Sequence, residues 1–131
     1  MSTSNGAILH NERPQHTTLR AKQDFERVYS GGLAQRGDFV VLIHRANQLG
    51  CLRTAVVASK RVGGAVQRNR AKRLLRVAIR TLLSGIRANP IDLVLVARPG
   101  LPRKRSASVV VAIEELCGRA GIPTTRGLGG A

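Results

Sequence analysis

The chain has no tryptophan, one tyrosine and two phenylalanines, so aromatics make up 2% of its 131 residues. A core built from it rests on Val, Leu, Ile and Ala. The shortage also counts against a membrane-surface helix, whose apolar face usually carries Trp or Phe. No apolar run approaches the about 18 residues of a membrane span. The first fifteen residues lack the apolar stretch of a signal peptide. The two cysteines, Cys51 and Cys117, stand far apart without a C-x-x-C pairing, which excludes the usual metal and redox motifs. They are expected to be packed free thiols in a reducing cytoplasm.

Acidic residues are also few. Glu12, Asp24, Glu26, Asp38, Asp92, Glu114 and Glu115 are scattered, and His10, His16 and His44 form no H-x-x-H or H-E-x-x-H set. No Cys-His or Ser-His-Asp arrangement can be assembled from their order. A stand-alone enzyme is therefore not expected, and no catalytic residue is assigned to the protein.

Basic residues are abundant. Lys and Arg total 22 against 7 acids, a net charge of +15. No acidic residue lies between Asp38 and Asp92. Such an imbalance works against compactness, and a nucleic acid is the first explanation for it. An anionic membrane surface is the second, and no membrane partner is expected.

The length suits one domain. Residues 1–17 show no periodicity and are expected to be a disordered extension. Residues 18–121 are expected to form the single nucleic-acid-binding domain, and the Gly-rich residues 122–131 a flexible tail. Phe25, Val28 and Tyr29 fall at i, i+3 and i+4, predicting a helix over 22–30 that stops at Gly31. Residues 39–43 and 52–59 read as strands, joined by turn chemistry at 47–50 and expected to pair antiparallel. A short extra strand is expected at 33–36. A long helix follows over 65–84, and Asn89-Pro90 breaks the chain. Residues 91–97 have a buried-strand pattern, and 99–105 a basic loop. Ser106 can cap a third helix whose apolar face is Val109, Val110, Ile113, Leu116 and Cys117. The order is α-β-β-(β)-α-β-α: an α+β class, a small two-layer sandwich with helices packed on about four strands.

The long helix carries the charge. Ala71, Leu74, Leu75, Ala78 and Leu82 share one arc of it. Arg68, Lys72, Arg73, Arg76 and Arg80 share another. Arg68, Lys72, Arg76 and Arg80 are successive i, i+4 neighbours, a spacing at which like charges cost a few tenths of a kcal/mol per pair. Ordinary solvated faces mix signs, so a ligand that neutralises the stripe explains it better. Val62-Gly63-Gly64-Ala65 before the helix suits either a plain turn or a phosphate on free N–H groups, and the plain turn is the stronger reading. The amide of Asn69 suits a base edge, a 2′-hydroxyl or a metal-bound water, and equally a helix-turn cap. Phe25 and Tyr29 suit the core, or a cleft in which unpaired bases stack.

The run Ser59-Lys60-Arg61-Val62-Gly63-Gly64-Ala65-Val66-Gln67-Arg68-Asn69-Arg70-Ala71-Lys72-Arg73-Leu74-Leu75-Arg76 closely resembles the signature of the bacterial ribonuclease P protein component. Leu19-Arg20, Asp24-Phe25, Val28-Tyr29 and Gly31 resemble its first helix. Asp92-Leu93-Val94-Leu95-Val96-Ala97-Arg98 resembles its last strand. The resemblance covers about residues 18–120. It implies an α+β sandwich with a left-handed β-α-β crossover, against the usual handedness. It implies the RNA-binding protein subunit of a tRNA-processing ribozyme. Its partners would be a catalytic RNA subunit and precursor tRNA with its 5′ leader, and the leader would be removed by Mg2+-dependent endonucleolytic hydrolysis. The magnesium would be held mainly by the RNA, with none bound tightly by the protein. No homo-oligomer is implied.

Carried over by position, Arg68, Asn69, Arg70, Lys72, Arg73 and Arg76 match the RNA-binding helix, with Arg80 continuing its stripe. Ser59, Lys60, Arg61 and Gly63 match the loop before it. Phe25, Tyr29 and Phe39, with Lys60, match the leader cleft. Family members often carry another aromatic on the strand at 39–43, where this chain has aliphatics, so its stacking surface is leaner. The N-terminal extension is longer than the family minimum. A small basic ribosomal or other structural RNA-binding protein is the alternative that charge and size allow.

Overall fold

The computed structural model describes residues 16–86 and 89–124. The remainder of the expected N-terminal extension and of the C-terminal tail lies outside them. In chain order the elements are β1 (His16–Thr18), α1 (Lys22–Gly31), β2 (Leu33–Arg36), β3 (Val40–Ala46), β4 (Leu52–Val57), α2 (Ala65–Ile86), β5 (Ile91–Ala97) and α3 (Ser106–Ala120). Short 3₁₀ turns at Lys60–Val62 and Leu101–Arg103 precede α2 and α3. The five strands form one mixed sheet in the order β1-β4-β5-β3-β2. The α+β class and the expected order of helices and strands hold.

The pairing of β3 with β4 does not. Both turn to β5: β3 runs antiparallel to it and β4 parallel, with α2 as the crossover between β4 and β5. The physical reason is in the strands themselves. Leu93, Val94 and Leu95 of β5 are all fully buried, so both faces of that strand need cover, which the centre of a sheet supplies. The turn after β3 joins two strands that β5 separates.

Successive side chains of a strand face opposite ways, and the sheet uses both faces. Leu42, Leu52, Leu93 and Leu95 pack with α2 and α3 in the main core, which also takes Ala71, Leu75, Ala78, Leu82, Val109, Ile113 and Leu116. Ala55 and Val94, on the other face, pack with Val28 of α1 and with Leu19. The expected single helical layer thus has a partner, a short helix across part of the second face. Gly32 makes the turn from α1 into β2 possible. A Cβ there would stand 2.4 Å from the Val28 carbonyl oxygen and 2.8 Å from that of His44, both backbone atoms.

At both ends the folded domain includes residues expected to lie outside it. His16 and Thr17 belong to β1, which pairs parallel with β4 from His16 opposite Leu52 to Thr18 opposite Thr54. Beyond Gly121, whose left-handed conformation (φ 77°) ends α3, the Ile122 amide donates to the Cys117 carbonyl at 2.8 Å. Ile122 and Thr124 are buried, so the tail does not begin at 122. The side chain of Ser106 makes no cap: it is the first residue of α3, and Arg105 holds the cap position.

Beneath α1, Asp92 of β5 is 2% exposed. Its Oδ1 accepts from Arg53 Nε at 2.8 Å and from Asn47 Nδ2 at 2.9 Å, and its Oδ2 accepts from Arg53 Nη2 at 2.8 Å. Arg53 Nη1 also donates to Asp24 Oδ2 of α1 at 3.0 Å. One guanidinium from β4 therefore joins β5 and α1, and the carboxylate partners raise its already high pKa further. Asn47 Nδ2 also donates to the Cys51 carbonyl at 3.0 Å, pinning the turn between β3 and β4. Both cysteines are free. Burial first, then the charge of Glu114, pushes the Cys117 thiol up to about 12 and keeps it protonated.

Candidate nucleic-acid interface

The approach to α2 is a folded turn. The Arg61 amide donates to Ser59 Oγ at 3.3 Å, and the Val62 amide to the Ser59 carbonyl at 3.0 Å. The Gly63 amide returns to the Lys60 carbonyl at 3.1 Å. Gly63 has φ 143°, a region that suits glycine, and a Cβ there would stand 2.8 Å from Gln67 Cβ. Backbone freedom and close approach account for this glycine. Lys60 and Arg61 are left exposed on the turn.

From there α2 runs for 22 residues. Its apolar arc is buried as the periodicity predicts, with Ile79 and Ile86 added. On its other faces Asn69, Arg70, Arg73, Arg76 and Arg80 are exposed, and Arg68 and Lys72 half-buried. Among the described residues the carboxylate ion pairs engage Arg27 and Arg53, and none reaches the α2 cations. Arg68 Nε is buried with no acceptor. Arg70 reaches the loop before α3: its Nε donates to the Pro102 carbonyl.

A groove of about 410 Å³ opens where α1 and α2 flank the edge of the sheet. Phe25 of α1 forms one wall and Arg76, Ile79 and Arg80 of α2 the other. Thr18, Leu19, Thr54, Ala55 and Val56 line the strands between them. The groove exists because β1 pairs with β4 only as far as Thr54, so among the described residues 55–57 of β4 have no strand neighbour on that side.

Of the four residues expected in one cleft, only Phe25 lines this groove. The Tyr29 ring lies beside it, 6.1 Å between centroids at 31°, and is 48% exposed. Desolvation raises the Tyr29 phenol above its ordinary value, so it stays a neutral donor. Phe39 is elsewhere: it packs against the main core, with Lys104 Nζ 5.0 Å above its ring. Lys60 stays on the turn before α2 and does not line the groove. Sequence reasoning instead missed the groove role of Arg76 and Arg80, because it depends on where β1 ends. It also missed the Lys104–Phe39 contact, which joins two loops far apart in sequence.

A small mixed sheet, an uncompensated cationic helix and an adjoining groove with an aromatic wall together define a nucleic-acid-binding protein of α+β architecture. The comparisons with known proteins agree. The family model described as Ribonuclease P matches residues 14–121. The ribonuclease P protein component of Caldanaerobacter subterraneus subsp. tengcongensis is 36% identical over 104 residues, 79% of this chain and 89% of the relative. That of Dehalococcoides mccartyi is 35% identical over 104 residues, 79% of this chain and 84% of its own. The solved RNase P protein of Thermotoga maritima superposes with a TM-score of 0.69 at 25% identity, covering 78% of this chain and 96% of that one. The chain belongs to the ribonuclease P protein family, and its RNA-binding role lies in precursor-tRNA processing.

Proposed function

We infer that the protein binds and positions RNA while bond cleavage takes place in the RNA subunit of the same complex. The cationic face of α2, with which no carboxylate among the described residues forms an ion pair, is the observation that carries this reading. Arg68, Asn69, Arg70, Lys72, Arg73 and Arg76 engage the catalytic RNA on it, with Ser59, Lys60, Arg61 and Gly63 on the approaching turn. The groove takes the single-stranded 5′ leader of precursor tRNA. Phe25 offers a stacking face there, and Arg76 and Arg80 meet the leader phosphates. Magnesium belongs to the RNA. Among the described residues no group of three or more His, Cys, Asp or Glu stands close enough to hold a metal ion. The working place is the cytoplasm, where precursor tRNA is made, and no helix among the described residues is long and apolar enough to cross a membrane.

Reconstitution tests the reading. The protein's cations neutralise phosphates that otherwise need magnesium, so adding it to its RNA should lower the magnesium concentration at which labelled precursor is cut by several-fold. Unchanged cleavage at every magnesium level overturns the assignment. The groove has its own test in Phe25→Ala. Loss of one stacked base weakens binding of leader-bearing precursor by about 1–3 kcal/mol and leaves mature tRNA nearly unaffected. Equal losses for both substrates would make the ring a core residue.

A further inference from the structure

We propose that the loop between β5 and α3 is a second RNA-contacting surface, and that Arg70 is a positioning residue that fastens it to α2. The proposal rests on the RNA-binding reading above and widens its footprint. Between Arg98 and Arg105 the loop reads Arg-Pro-Gly-Leu-Pro-Arg-Lys-Arg, half of it basic. Only its middle is packed: Leu101 and Pro102 are buried, whereas Arg103, Lys104 and Arg105 are exposed.

Four contacts fix the loop in place. Arg98 Nη1 donates to the Gly37 carbonyl at 2.8 Å, and the Arg98 amide to the Phe39 carbonyl at 3.0 Å. Lys104 Nζ sits over the Phe39 ring at 5.0 Å, within cation–π range. Arg70, reaching from α2, donates its Nε to the Pro102 carbonyl. That bond comes from the last residue of the Arg68-Asn69-Arg70 run, so the loop lies beside the first turns of the cationic helix. The result is one continuous basic surface drawn from two elements.

Asp38, the acid next to Phe39 in the chain, makes no ion pair with these cations, and no other carboxylate among the described residues does. Three exposed cations on a pinned loop lose little freedom on binding, which favours a fixed phosphate array over a diffuse counterion cloud. A lipid surface is the poorer partner, because the loop exposes no aromatic anchor: Phe39 lies beneath Lys104. Arg70 thus acts on the RNA partly through the loop that it holds.

The test is a double-mutant cycle on binding of the protein to in-vitro-transcribed cognate RNase P RNA, titrated across salt. Replacing Arg103, Lys104 and Arg105 together by Ala should lower the slope of log K against log salt by about 2, at about 0.7–0.9 per phosphate contact. Arg70→Ala should weaken binding strongly in the unsubstituted protein but at least threefold less in the loop variant, since the loop that it positions is already silent. Thermal melts of each variant show that the fold is kept. An unchanged slope in the loop variant, or equal Arg70→Ala losses in both backgrounds, overturns the proposal. Failure of the unsubstituted protein to bind the RNA at all would instead overturn the reading on which it rests.

Discussion

Arg53→Met should unfold the protein at much lower urea, with a loss of about 3–5 kcal/mol, the cost of leaving a buried charge without its partner. The substitution keeps most of the side-chain volume, so the loss is electrostatic. Asp92, 2% exposed, would keep the Asn47 amide and lose both donors of the Arg53 guanidinium. Asp24 would lose its tie to the sheet while keeping Arg27, one turn away at 3.2 Å. A domain of this kind holds about 5–15 kcal/mol in total, so the variant should stand near the limit of folding. The second half of the test is Arg53→Met with Asp92→Leu. With both charges removed the buried site becomes apolar, and most of the loss should return. Equilibrium urea unfolding measures both. A single-variant loss under about 1 kcal/mol, or a double variant no better than the single, would show that the network does not hold α1, β4 and β5 together.

The double variant Arg76→Glu with Arg80→Glu should act the opposite way, sparing the fold and disabling binding. Both side chains are exposed, neither pairs with a carboxylate among the described residues, and they lie one turn apart on α2 and line the groove. The substitutions exchange one like-charge i, i+4 pair for another, but they also set a carboxylate one turn from Lys72, so stability should stay within a few tenths of a kcal/mol. The cost appears with RNA. At about 0.7–0.9 in the salt slope per contact, each lost phosphate contact is worth roughly sixfold between 1 M and 0.1 M salt, so two are worth about fortyfold. Repulsion from the introduced carboxylates adds to that. Salt-titrated binding of leader-bearing precursor reads the effect. Affinity within threefold of the unsubstituted protein at 0.1 M salt would remove this stretch of α2 from the interface.

The helices were the legible part of the fold. In α2 and α3 the apolar residues recur at helical spacing, and the side chains named from that spacing are the buried ones. A period speaks for one element at a time, however, and strand order is a relation among several. The turn at 47–50 suggested that β3 and β4 pair. What prevents this is β5, thirty-odd positions later, whose Leu93, Val94 and Leu95 need cover on both faces. The cationic face was legible because the absence of acids over a long stretch is a property of the sequence itself. The groove was only half so. Phe25 was named, but its neighbours Arg76 and Arg80 reach it through the crossover, and Phe39 was drawn away by Lys104, whose place depends on the loop before α3. Arg53 was not singled out because nothing in Cys51-Leu52-Arg53-Thr54 marks it. Its role exists only once Asp92 lies opposite it in register.

The short reach of β1 bears on the behaviour of the protein before it finds RNA. Past Thr54 no described strand covers the margin of β4, and an uncovered strand margin invites the same margin of another molecule. Here Arg76 and Arg80 stand guard over it, and an approaching copy brings the same two cations. Mutual repulsion should keep the unassembled chains apart, and on the proposed reading one pair of arginines would serve solubility first and recognition afterwards. Polyanions that mask these cations without filling the groove should therefore provoke clumping.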